Sequence, residues 1–125
     1  MGTLASGGIS REVLALGRVL ESGAGSGILT AAGVATRVAE SLGGEVAPLA
    51  KSEGYSVTVM EGKRAIIARI KSTGDVRVSI SGKGSLTAAG EISDDRALTH
   101  FSNLSSEQVT ALMNRARELL RAMRR

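Results

Sequence analysis

Gly54-Tyr55-Ser56-Val57-Thr58-Val59-Met60-Glu61-Gly62-Lys63-Arg64-Ala65-Ile66-Ile67-Ala68-Arg69-Ile70-Lys71 is the stretch whose period decides the fold. Tyr55, Val57 and Val59 alternate with Ser56 and Thr58. Glu61-Gly62 supplies a tight turn, and Arg64, Ile66, Ala68 and Ile70 return with the same period. A period of two sends successive side chains to opposite faces of a strand, so the stretch reads as a hairpin with one apolar face. Thr73-Gly74-Asp75 turns the chain again, and Val76, Val78 and Ile80 alternate with Arg77, Ser79 and Ser81. Gly82-Lys83-Gly84 then leads into a weaker fourth strand, Leu86 to Ile92. Four strands joined by short turns predict an antiparallel meander with one face available to helices.

The flanking sequence changes to helical spacing. Ser10 is a good N-cap for a helix carrying Val13, Leu16 and Leu20, and Gly23 ends it. After the connector Gly23-Ala24-Gly25-Ser26-Gly27, a second helix is expected from Ile28 to Leu42, with Ile28, Ala31, Ala35, Val38 and Leu42 on one face and Gly43-Gly44 as its stop. Gly33 and the alanines on that helix allow a close neighbour. The stretch from Glu45 to Glu53 has no clear period, and a single helical turn around Pro48 is the expectation. Asp94 to Asn103 reads as a loop or irregular helix. The last helix is the clearest element. Ser105 and Gln108 form a capping box, and Val109, Leu112, Met113, Ala116, Leu119, Leu120 and Met123 make an apolar stripe. The whole chain, 1–125, reads as a single α+β domain: two N-terminal helices, a four-stranded antiparallel meander and a C-terminal amphipathic helix.

Composition bounds what such a domain can do. With 42% hydrophobic and 22% charged residues the chain is globular rather than disordered. Its one Tyr and one Phe leave the core to Val, Ile, Leu, Met and Ala, so each contact buries little area and association would add stability. No cysteine is present, which excludes disulfides, thiolate metal sites and a cysteine nucleophile. No apolar run approaches the roughly 20 residues of a membrane span, and no secretory leader is recognisable. Met1-Gly2-Thr3-Leu4-Ala5-Ser6 fits the loose myristoylation pattern, but no basic cluster beside it supplies a second anchor. The net charge of +4 is concentrated: Arg115, Arg117, Arg121, Arg124 and Arg125 fall in the last eleven positions against Glu118 alone, leaving eleven bases and eleven acids before them.

The sequence predicts no catalytic activity and no cofactor. His100 is the only histidine and lacks the nucleophile or ligands that a triad or a metal site requires. Asp94-Asp95 suits helix capping or a solvated turn better than an ion, because adjacent carboxylates rarely converge. The glycine cluster at 23–27 follows a helix rather than a strand, and Gly82-Lys83-Gly84-Ser85 lies between strands, so neither meets the requirements of a nucleotide loop. Lys63, Arg69, Lys71, Arg77 and Lys83 recur in the strand region, so one sheet face or edge is positive and nucleic-acid contact is open. Stacking aromatics are scarce there, and edge lysines also discourage aggregation.

Two resemblances bear on function. The stretch from Arg11 to Lys71 resembles small head–tail and minor tail proteins of long-tailed phages that infect GC-rich bacteria. A short helix, a small-residue gap, an alanine-rich helix and a hairpin follow one another. The hairpin's Gly54-Tyr55-Ser56-Val57-Thr58-Val59 strand is answered by a basic, alanine-rich return through Gly62-Lys63-Arg64-Ala65 and Ile67-Ala68-Arg69-Ile70. The resemblance implies a cofactor-free protein that forms rings or lines the neck of a particle, in the host cytoplasm or the virion, and binds copies of itself and neighbouring structural proteins. The segment from Val76 to Leu120, with its Gly-Lys-Gly turn, Ile92-Ser93-Asp94 and terminal helix, is similar to a small bacterial nucleoid-associated family, which implies a dimer that binds DNA. Two helices and an extra hairpin stand where that family has a long N-terminal helix. A scaffold or toxin-neutralising protein with one protein partner is the third possibility. From helical spacing and charge, Leu112, Leu119 and Met123 are the expected self-association residues. Arg117, Arg121, Arg124 and Arg125 are expected to meet an acidic partner or nucleic acid. No membrane partner is expected.

Overall fold

The computed structural model describes residues 30–123. The helix expected between Ser10 and Gly23, the connector to Gly27, the Gly2 motif, Arg124 and Arg125 lie outside the described residues. Within them the fold is α+β, in the order α1 (Ala31–Leu42), β1 (Glu45–Pro48), β2 (Gly54–Glu61), β3 (Arg64–Lys71), β4 (Asp75–Ile80), β5 (Gly84–Leu86), β6 (Ile92–Ser93), α2 (Arg96–Thr99), β7 (Phe101–Ser102) and α3 (Ser106–Met123). All strand pairings are antiparallel.

The hairpin that decides the fold forms in the expected register, with Val57 opposite Ala68, Val59 opposite Ile66 and Tyr55 opposite Ile70. β4 continues the ladder on the far side of β3, pairing Val78 with Ala68 and Ile80 with Ile66. Directly opposed residues share a face. The apolar phase of all three strands therefore lies on one side, where Val57, Val59, Ile66, Ala68, Ile70, Val76, Val78 and Ile80 are buried. α1 and α3 cover that side and touch each other. α1 contributes Val34, Ala35 and Val38; α3 contributes Val109, Leu112, Met113, Ala116 and Leu120. At about 1.5–3 kcal/mol for each fully buried Val, Leu, Ile or Met, this seam is the main source of stability.

Local chemistry sets the helix ends. The Thr30 hydroxyl accepts from the Gly33 N–H at 3.1 Å, so α1 begins at Ala31, three residues after the expected Ile28. Gly43, at φ 74°, closes it, with its N–H donating to the Ala39 carbonyl at 2.7 Å. The capping box of α3 is formed in both directions. The Ser105 N–H donates to Gln108 Oε1 at 2.7 Å and the Gln108 N–H to Ser105 Oγ at 3.2 Å.

The four-stranded meander is corrected to seven strands. The expected helical turn around Pro48 is strand β1, paired with the outer edge of β2. Gly44 makes this possible: a Cβ there would sit 2.9 Å from the Thr58 carbonyl oxygen, closer than any side chain permits. The expected fourth strand divides into β5 and β6. Between them the Thr87 N–H bonds the Glu91 carbonyl at 2.8 Å and the Gly90 N–H bonds Thr87 at 2.9 Å, closing a turn. The irregular segment 94–103 contains one helical turn, capped by Asp95 Oδ1 on the Ala97 N–H at 2.9 Å, and then β7. β5 and β7 share one edge of β4, β5 at Ser79–Ile80 and β7 at Asp75–Val76.

Candidate functional site

The polar phase of the strands makes the opposite face of the sheet, and neither long helix packs on it. One rung crosses six strands, Glu45–Thr58–Ile67–Ser79–Ser85–Ser93. Four of its six side chains are hydroxyls, and Ile67 stands half-buried at the centre. Ser79 and Ser85 share a hydrogen bond at 2.9 Å across β4 and β5. The next rung on one side is Ala47–Ser56–Arg69–Arg77. Two guanidinium-bearing residues are thus aligned directly opposite each other on adjacent strands, about 5 Å apart at Cα. Neither makes a hydrogen bond or ion pair with a described residue. Lys71, opposite Gly54, adds a third cation one rung further on. On the other side of the hydroxyl rung lie Met60 and Ala65, opposite each other. The acids of this face stand at its margins, Glu45 on β1 and Asp75 at the start of β4.

The five strand-region cations thus divide. Arg69, Lys71 and Arg77 share this polar face, whereas Lys63 and Lys83 occupy the β2–β3 and β4–β5 turns, which lie at the same end of the sheet. Arg64 bridges these turns by donating to the Ser81 carbonyl at 2.8 Å. The C-terminal arginines approach the same end. Arg121 Nε lies 3.1 Å from Glu61 Oε2 and Arg117 Nε 3.5 Å from Glu61 Oε1. This pole carries five cations against Glu61 and, beside Gly84, Asp94.

The residues expected to mediate contacts separate in space. Leu112 is 3% exposed and belongs to the chain's own core, a correction to its expected place between subunits. The reason is that α3 spends its stripe covering β3 and β4. Leu119 is half-buried against the same core, and Met123 is 47% exposed. Arg117 and Arg121 both lie against Glu61, with Arg121 59% exposed. His100 sits at the end of α2 with Nδ1 3.1 Å from the Arg96 carbonyl oxygen. Among the described residues no three metal-ligating side chains converge, and no helix is long and apolar enough to cross a membrane. A cleft between α1 and α3 is lined by Arg37, Glu40, Glu107 and Asn114, with charges of both signs.

The β1 margin is the other exposed strand feature. The Leu49 N–H bonds the Gly54 carbonyl at 3.0 Å, which fixes the alternation of the ladder and turns the backbone groups of Val46 and Pro48 away from β2. Pro48 has no N–H, so this edge offers a single outward donor. It is a blunted edge, poorly suited to strand addition.

Sequence reasoning missed the alignment of Arg69 with Arg77 and the continuous hydroxyl rung. The signal was the polar phase of the alternation, Ser56 and Thr58 in β2 and Arg77 and Ser79 in β4; the register that joins the strands was not visible. No protein-family model, curated protein or solved structure matches the chain.

Proposed function

We propose that the chain is a non-catalytic assembly protein whose body is a platform and whose polar sheet face, open among the described residues, docks a macromolecular neighbour. The reading agrees with the resemblance to phage head–tail and minor tail proteins. The observation that carries it is the face itself: a rung six strands wide, hydroxyl-bearing and centred on half-buried Ile67, on a sheet whose other side is closed by two helices. Among the described residues no third layer covers this face, which presents a broad surface. Self-association remains part of the proposal, with Met123 and the outer side of Leu119 as its contact residues on α3.

The test compares the wild type with Ile67→Glu by light scattering after size exclusion, with and without added duplex DNA, after circular dichroism has confirmed folding. Wild type is expected to form a discrete complex, with itself or with the added partner, and Ile67→Glu to lower its mass. If the folded variant forms the same complexes, the face is an ordinary solvated one and the proposal is wrong.

A further inference from the structure

We infer that the polar sheet face takes the phosphate backbone of a nucleic-acid duplex; the inference rests on that face being the docking surface and names its occupant. The first ground is electrostatic. An antiparallel sheet tolerates water on one face, but like charges directly opposite each other in the ladder destabilise it. Arg69 and Arg77 stand in that relation with no ion-pair partner among the described residues, and the acid of the next rung, Asp75, falls opposite Lys71 in the register. A row of anions laid over the rung offsets the repulsion.

The neighbouring rung suits the same ligand. Thr58, Ser79, Ser85 and Ser93 bring four hydroxyls to one level of the sheet; one O–H of the Ser79–Ser85 pair is used between them, and the others, like guanidinium groups, are standard donors to phosphate oxygens. The same charge argues against a second copy lying face to face, because that would bring arginines onto arginines unless the sheets were offset.

Two further observations select a duplex over a single strand and backbone over bases. Tyr55 and Phe101, the only aromatics, both lie in the rung Tyr55–Ile70–Val76–Phe101, on the helix-covered side, packed against the core. The open face therefore has no ring on which an unpaired base can stack. Its width, about 24 Å for six strands at roughly 4.8 Å spacing, is twice the roughly 12 Å of a major groove. It rests across phosphates and enters no groove. Lys63 and Lys83 extend the positive field about 20 Å along the strands from Arg69, at roughly 3.3 Å per residue.

The experiment is fluorescence anisotropy of a labelled 24-base-pair duplex (about 24, two helical turns and more) of mixed sequence, with the full chain, between roughly 50 and 200 mM salt. Engagement of about three to five phosphates gives a log–log salt slope of about −3 to −4.5 and a loss on the order of 100-fold across that range. Arg69→Ala with Arg77→Ala is expected to reduce the slope by about two and to weaken binding at least about tenfold. Arg37→Ala with Arg96→Ala removes the same charge elsewhere and is expected to retain the wild-type slope. Equal losses in the two double variants, or tighter binding of a single strand, overturn the inference. If no duplex binds while Ile67→Glu still lowers the mass of a wild-type assembly, the inference falls and the docking reading survives with a protein occupant. If neither happens, both fall.

Discussion

Glu61 is the acid on which the C-terminal helix and the β2–β3 hairpin meet, and Glu61→Gln removes its charge while keeping its shape. Its side chain is 10% exposed, and the guanidinium groups of Arg117 and Arg121 both address it. Their contributions differ in kind. Arg121 is 59% exposed, and an exposed pair contributes about 0.2–1 kcal/mol. Arg117 is 28% exposed, and its Nε is buried without a hydrogen bond. It depends on Glu61 for charge compensation, since at 3.5 Å the contact is an ion pair and not a hydrogen bond. Stripping the partner from a fully buried pair costs about 3–5 kcal/mol; partial access of water to Arg117 brings this to about 1–2 kcal/mol. The sum for Glu61→Gln is about 2 kcal/mol. For a chain of 125 residues, an unfolding entropy of about 0.26 kcal/mol/K converts this to a fall in Tm of about 8 °C. The assay is urea and thermal unfolding, repeated near 1 M salt, where the Debye length of about 3 Å screens the exposed pair but not the covered one. Most of the effect, about 1–2 kcal/mol, is therefore expected to persist in high salt. A Glu61→Gln protein within about 0.5 kcal/mol of wild type at low salt would refute the reasoning, because that is the ordinary range of an uninvolved surface site.

Three further outcomes are expected. Gly54 has φ +142°, and a Cβ there would collide with the Ile70 carbonyl; Gly54→Ala is expected to cost at least about 2 kcal/mol, read from urea midpoints. Ser105→Ala removes the hydroxyl that accepts from the Gln108 N–H and is expected to cost about 1 kcal/mol; a double-mutant cycle with Gln108→Ala should give a non-zero coupling, because the two caps are reciprocal. Leu112→Ala is expected to cost about 2–5 kcal/mol, whereas Met123→Ser on the exposed end of α3 should stay within about 0.5 kcal/mol and act, if at all, on complex mass by light scattering.

What the sequence made legible was whatever repeats. The alternation through Tyr55–Ile70 and Val76–Ile80 defined a two-sided sheet, and the stripe from Val109 to Leu120 defined the helix that covers it. The reciprocal cap at Ser105 and Gln108 marked where that helix starts. Elements too short to repeat stayed hidden. Ile92–Ser93 and Phe101–Ser102 are two residues each and owe their strand character to partners distant in sequence. β1 was masked by Pro48, which reads as a break until its outward position on an edge is known. The candidate site was half legible. The cations of the strand region were visible, but the opposition of Arg69 and Arg77 depends on the turn joining β3 to β4, and one residue more or less there would separate them. The attachment of Arg117 and Arg121 to Glu61 spans some 60 positions and leaves no local trace.

The divided outer edge of β4 has a consequence for the order in which the molecule closes. One half of that edge is taken by β5, immediately after a tight turn, whereas the other half waits for Phe101 and Ser102. β7 leads almost directly into the cap of α3 at Ser105, so the strand that completes the ladder also delivers the helix that roofs the core. The hairpins close short loops, whereas pairing β7 with β4 closes a longer one and carries the larger loop entropy. The final segment therefore acts as a clasp. In native-state hydrogen exchange, the Asp75–Val76 end of β4 should open together with α3 as one cooperative unit, while the Ser79–Ile80 end stays protected with the hairpins.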